Sequence, residues 1–244
     1  MKKRNIKEIA NQMVVCLSRE IKDNEKVFHG VNSQIPMVAI FLAKKMHAPN
    51  LVLIEVAGSI NPEPRFMPKS TNGPELCHGS ASLFSNADTY DLFARGEVDL
   101  IFLGGAQIDK NCNVNMSYIG DPNKPKVRLP GGGGGSVIMS QAKRTIIWKT
   151  KHDKRVFVDN VDFVTQTGNL EKVVTPKAVF KNDEGKLELE SIHSCSSKEE
   201  VIEQTSFKLK FTDKISETIF PTDEEKKILE EIDPNGTRFI EFGE

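Results

Sequence analysis

The segment from Val98 to Ser136 limits the folds open to this chain more than any other. It begins as an apolar strand, Val98-Asp-Leu-Ile-Phe-Leu103, and breaks at Gly104-Gly105. It then crosses a polar, Asn-rich stretch and reaches five consecutive glycines, residues 131–135. Glycine costs conformational entropy on folding, so a run of it suits a backbone that must turn tightly or lie close to something else. A loop after a buried strand is where α/β proteins place ligand sites. The pattern points to a small-molecule site built largely from backbone groups.

The flanking sequence agrees. Residues 51–56 form an apolar run with one acid, as expected of a strand buried on both faces. Residues 26–29 start another strand. Pro36 sits where a helix begins, which its fixed φ suits, and residues 37–46 continue it. Residues 87–95 read as a helix stopped by Gly96. This alternation predicts an α/β fold with a mainly parallel sheet. Past the glycines, residues 145–148 and 161–165 are strand-like. Residues 173–180 and 186–192 flank the turn Asn182-Asp-Glu-Gly185 as a C-terminal antiparallel hairpin. Residues 198–204 and 223–232 read as short charged helices. No repeat or long linker divides the 244 residues, so one domain over 1–244 is the simplest account.

The formal net charge of −1 leaves no global basic field to draw nucleic acid or a membrane surface. The N-terminal segment has a basic start, but Ile6, Ile9, Met13, Val14, Leu17 and Ile21 fall at helical spacing with charges between them. A signal peptide needs an uninterrupted apolar core, and no segment is long enough to span a bilayer. Cys16, Cys77, Cys112 and Cys195 are scattered, which fits reduced cytoplasmic thiols and neither a disulfide framework nor a zinc site. No metal is expected.

The five glycines match neither a phosphate loop nor G-x-G-x-x-G, since no Gly-Lys-Ser/Thr follows and Ser136 takes the final position. Two readings fit them: a flexible surface turn, or a concave array of amides suited to a carboxylate or a thioester oxyanion. Glu55 also has two readings. At a strand end it reaches solvent or caps an amide; in a cleft it serves as nucleophile or base. Cys77-His78 is a weak candidate, because neighbours in a strand point to opposite faces. His29 and His152 have no partner at ligand spacing and read as ordinary histidines.

Together, Gly104-Gly-Ala-Gln-Ile-Asp109, Asn113-Val-Asn115, Ile119-Gly-Asp121, Pro125-Lys-Val-Arg128, the glycines from Gly131, residues 155–164 and Glu231-Ile-Asp-Pro234 resemble the β-type subunit of class I (family I) CoA-transferases, of the glutaconate CoA-transferase kind. The resemblance implies an open α/β sandwich, an α-type partner subunit, and acyl-CoA and a carboxylic acid as substrates, with no permanently bound cofactor. It implies a glutamate that attacks the thioester and passes through an anhydride to a glutamyl-CoA thioester. It also implies substrate or oxyanion contacts at Gly58, Gly104, Gly105, Gln107, Gly131, Gly132, Gly133 and Gly134.

One departure bears on the chemistry. The family pattern is Glu-x-Gly, and here the residues are Glu55-Val56-Ala57-Gly58. An ungapped alignment puts Val56 at the nucleophile position and Glu55 one residue early, on the opposite face of a regular strand; a β-bulge near Gly58 would restore it. Cys112 stands where the family has glycine. Three readings follow: a transferase using Glu55; a glutamate-lacking relative acting as acyl-CoA decarboxylase or C–C hydrolase with its α partner; or a subunit that only completes its partner's site.

Overall fold

The computed structural model describes residues 5–243; the basic start at residues 2–4 lies outside them. In chain order the elements are α1 (Ile6–Arg19), β1 (Lys26–His29), α2 (Gln34–Met46), β2 (Val52–Glu55), β3 (Ser59–Ile60), β4 (Ser82–Leu83), α3 (Asn86–Ala94) and β5 (Leu100–Gly104). They continue with β6 (Gln107–Asp109), β7 (Val114–Asn115), β8 (Tyr118–Asp121), β9 (Lys124–Arg128), α4 (Gly135–Gln141), β10 (Arg144–Trp148) and β11 (Phe157–Val158). The last are β12 (Leu170–Val174), β13 (Ala178–Asp183), β14 (Lys186–Ile192), α5 (Lys198–Glu203), β15 (Lys210–Glu217) and α6 (Asp223–Ile232), followed by a 3-10 turn, Thr237–Phe242. The class is α/β, as expected. The chain divides into two compact units, one running to Phe102 and resuming at Phe220, the other from Leu103 to Ile219.

In the first unit the strand order is β5-β1-β2-β3-β4. β1 pairs parallel with both β2 and β5, and Val27, Phe28, Leu53, Ile54, Ile101 and Phe102 are buried. Burial on both faces explains their near-continuous apolar sequence. The Phe28 and Phe93 rings meet edge to face at 5.3 Å, fastening α3 to β1. Helix α2 starts two residues before Pro36, which sits in the first turn, where an amide hydrogen has no intrahelical acceptor to lose. Helix α1 is buried along its length from Ile9 to Ser18, because α2 and the C-terminal segment cover it. Arg238 reaches in from that segment, bonding Asn11 Oδ1 at 2.8 Å, Asp233 Oδ2 at 2.8 Å and Glu230 Oε1 at 2.6 Å.

The second unit has the order β10-β12-β13-β14-β15. β10 and β12 are parallel, as are β14 and β15, while the hairpin β13–β14 is antiparallel, as the turn at residues 182–185 predicts. The expected strand 173–180 is in fact two, parted at Pro176, which has no amide hydrogen for a ladder. Residues 161–165 are not a strand. Side chains claim two of their amides instead, Val161 N–H donating to Asp109 Oδ2 and Asp162 N–H to Gln107 Oε1, while Thr165 N–H donates to Val114 O. The strand lies earlier, at β11, parallel to β6. His152, Phe157 and Phe180 stack in the core, which fits the plain reading of His152.

Candidate active site

Strand register builds the candidate region of the first unit. Phe28 pairs with Ile54 in parallel, so the next residues, His29 and Glu55, end their strands side by side. His29 Nε2 lies 2.9 Å from Glu55 Oε2, and both side chains are 0% exposed. Neither carboxylate oxygen has a well-aligned hydrogen-bond partner, so charge attraction rather than a straight hydrogen bond holds the pair. Burial alone would lower the His29 pKa. The charge of Glu55, its contact with the ring and the Gly30 carbonyl outweigh burial and raise it, with Glu241 adding to the effect. The histidine read as ordinary is thus the partner of the predicted nucleophile. The signal lay in two short strands of equal length, each ending in a polar residue.

Glu55 is followed by a tight turn. Gly58 N–H donates to Glu55 O at 2.9 Å, leaving Val56 and Ala57 as the half-exposed crest. β2 then returns as β3, with Glu55 opposite Ser59. Gly58 has φ +88°, and a Cβ there would stand 2.6 Å from the Phe84 carbonyl oxygen. This is the three-residue hairpin with a left-handed glycine bulge. Val56, expected as the last strand residue, is instead part of the turn. Glu55 and Gly58 are held in one turn.

A second candidate region lies within the other unit. Gly104 ends β5 and Gly105 leads on to β6; a Cβ on Gly105 would come within 2.9 Å of Val114 Cγ1. Gln107 Oε1 accepts from Asn115 Nδ2 at 2.7 Å, and its Nε2 donates to Asp162 Oδ2 at 3.2 Å. Gln107 is thus occupied by neighbours in this unit. Gly131 N–H donates to Met116 O at 2.7 Å and Gly135 N–H to Gly132 O at 2.7 Å. Gly133 has φ +49° and Gly134 has φ −71°, ψ −22°. A left-handed residue followed by a right-handed one turns successive amides toward a common point, where an anion can bind. The loop is half-exposed, apart from the more exposed Gly133 and the buried Gly135.

Cys112 takes φ +64°, so the loop keeps the left-handed backbone although cysteine replaces the family glycine. Its thiol is pushed up to about 12 by burial and by the Asp109 charge, against the pull of Lys186. Cys77 and His78 make no pair: His78 Nδ1 lies 2.9 Å from the Glu63 carbonyl. Among the described residues no group of three or more His, Cys, Asp and Glu side chains could hold a metal. A 660 Å³ cavity in the second unit is lined by His193, Ser194, Lys198 and Phe211 among others, and by none of the residues singled out in the sequence.

Comparison with known proteins gives one consistent result. The family model described as Coenzyme A transferase matches residues 10–203. The chain is 32% identical to the B-type subunit of 3-oxoadipate CoA-transferase from Pseudomonas knackmussii, over 89% of this chain and 90% of that protein. Among solved structures, it is similar to glutaconate coenzyme A-transferase of Acidaminococcus fermentans, with a TM-score of 0.84 and 28% identity over 96% of each chain. It is also similar to the decarboxylase AibA/AibB, with a TM-score of 0.90 and 26% identity over 95% of this chain and 97% of that one. No helix among the described residues is long and apolar enough to cross a membrane.

Proposed function

We propose a function from one premise: the chain belongs to the coenzyme A transferase family. It is the β-type subunit of an enzyme acting on acyl-CoA thioesters, a single cytoplasmic domain over residues 1–244 beside an α-type subunit. It carries no permanently bound cofactor, and the reaction transfers CoA between carboxylic acids. The observation that carries this reading is the 32% identity with the B-type subunit of a CoA-transferase across 89% of the chain.

Glu55 is the nucleophile on this reading. Its carboxylate attacks the thioester carbonyl, the C–S bond breaks, and CoA thiolate leaves an acyl–glutamyl anhydride. The thiolate then attacks the glutamyl carbonyl, releasing the acyl group as its carboxylate and leaving a glutamyl-CoA thioester. An incoming carboxylate reverses the two steps. The chemistry divides one hard exchange into steps of similar energy. The amides of Gly132, Gly133 and Gly134 supply oxyanion contacts; Gly58, Gly104, Gly105, Gln107 and Gly131 make substrate contacts by their placement, since the amides of Gly58 and Gly131 and the carboxamide of Gln107 are bonded within the chain. An oxyanion donor contributes roughly 3–4 kcal/mol in comparable enzymes. Glu55 is fully buried against His29, so its attack requires the turn at residues 56–58 to open.

That burial favours a second reading. The half-exposed crest carries Val56 and Ala57, neither with a side-chain lone pair, and the similar decarboxylase fits a relative that works without this glutamate. Such a subunit keeps the acyl-CoA pocket, while the α-type subunit supplies catalytic groups for decarboxylation or C–C hydrolysis. Intact mass of the chain, assembled with its α-type subunit and treated with acyl-CoA and borohydride, separates the two. A change mapped to Glu55 supports transfer. Acyl-CoA consumed with Glu55 unmodified supports the second reading, and no consumption of any acyl-CoA refutes both.

A further inference from the structure

The carboxamide of Gln166 lies against the glycine loop with an unused oxygen. Gln166 is 4% exposed, and its Oε1 is buried without a hydrogen-bond partner. Its backbone is committed: the N–H donates to Val114 O and the carbonyl accepts from Val114 N–H, each at 3.0 Å. The side chain is aimed at the loop, since a Cβ on Gly135 would stand 2.5 Å from Oε1 and 3.5 Å from Nε2. Neighbouring Thr165 is already used, its Oγ1 accepting from Met116 N–H at 2.9 Å and contacting Ser117 Oγ at 2.7 Å. The amides of Gly132, Gly133 and Gly134 have no hydrogen-bond partner among the described residues. Exchanging the amide oxygen and nitrogen of Gln166 would only bury a donor in place of an acceptor.

A buried amide oxygen without a donor is a standing cost to the folded chain, and such exceptions are few in native proteins. This one sits beside a loop offering several free donors. Resting on the acyl-CoA reading above, we propose that Gln166 and the glycine loop form a subsite for a secondary amide of the pantetheine arm of acyl-CoA. The arm's N–H donates to Gln166 Oε1, and its carbonyl accepts from a loop amide. The complementarity selects the group. A phosphate or carboxylate offers only acceptors and would face the Gln166 oxygen unpaired, whereas a secondary amide brings one donor and one acceptor. The ligand reaches Oε1 as the glycines shift, and no side chain in the loop resists that movement.

The test uses Gln166→Met, close in shape but without hydrogen bonds, in the full chain assembled with its α-type subunit. Calorimetric titrations would compare CoA with adenosine 3′,5′-bisphosphate, which lacks the pantetheine arm. The variant should bind CoA about five- to tenfold more weakly. It should bind the bisphosphate as the wild type does and unfold, ligand-free, at the same or a higher temperature. Gly135→Ala, allowed by its backbone, displaces the carboxamide and should weaken CoA binding alike; it carries the test should Gln166→Met not fold. Unchanged CoA affinity with a lower unfolding temperature would mean that a structural water satisfies Gln166, and overturns the subsite. Equal weakening for both ligands also overturns it. A wild-type complex that binds no CoA refutes the acyl-CoA reading and the subsite with it, whereas failure of the variants alone leaves that reading standing.

Discussion

Replacing Glu55 with glutamine measures what the buried pair is worth to the fold. The two side chains are 2.9 Å apart and wholly inaccessible, so Gln fits the space but removes the charge. His29 can then shed its proton, which avoids the larger cost of a stranded buried ion. The remaining loss is that of a charge-assisted contact, about 1.5–3 kcal/mol. For a chain of this size, each kcal/mol moves the unfolding midpoint by about 2–4 °C, so Glu55→Gln should melt about 3–12 °C below the wild type at pH 6. The pH dependence has a definite sign. His29 has a raised pKa in the folded chain, so its stabilisation is fully present below the ordinary histidine value of about 6.5. It is lost as the pH climbs through the raised folded value. The wild type therefore sheds this stability as the pH rises above about 6.5 through the raised folded value and the variant does not, so their melting curves converge. Circular-dichroism melts at four pH values would show it. Equal midpoints at pH 6, or a gap that widens as the pH rises, would refute the reasoning.

Gly58→Ala should destabilise the chain by more than the roughly 1–2 kcal/mol of a left-handed non-glycine backbone. Its Cβ would also meet the Phe84 carbonyl oxygen at 2.6 Å; a urea midpoint equal to wild type would contradict this. Cys112→Gly relieves a φ of +64° and should raise stability by about 1 kcal/mol, read in the same titration. In the parent chain at pH 8, iodoacetamide should modify exposed Cys195 well before buried Cys112, whose pKa is pushed up to about 12, as peptide mass mapping would reveal. Arg238→Met strands Asp233, which is 0% exposed, and should cost about 3–5 kcal/mol; a loss below about 1 kcal/mol would show the cluster to be dispensable.

The α/β class was legible because buried parallel strands leave near-continuous apolar runs, as at residues 51–56 and 98–103. Helix α6 was legible to the residue, since its Thr222 cap and acidic first turn are local signals. The misplaced strand at residues 161–165 shows the limit of such signals. Its apolar pattern is real, but Gln107 and Asp109, more than fifty residues away in sequence, take two of its amides. The pairing of His29 with Glu55 was hidden for the same reason, because it depends on which strands are neighbours. The glycine run and Glu55 stood out by composition. Gln166 carried no sequence signal, and only its burial distinguishes it.

The first unit is interrupted: residues 103–219 form a unit of their own before the chain returns at Phe220. A ribosome therefore delivers the uninterrupted unit whole while the other still lacks its closing segment. The N-terminus of α2, which begins five residues after His29, is met by Glu241, whose Oε1 accepts from Ile35 N–H at 2.9 Å across a separation of 206 residues. Contacts so distant along the chain form late. During synthesis the faces of α1 and α2 that this segment covers stay open until the residues from Phe220 onward emerge. Apolar surface left open in this way during synthesis is what favours aggregation of large chains.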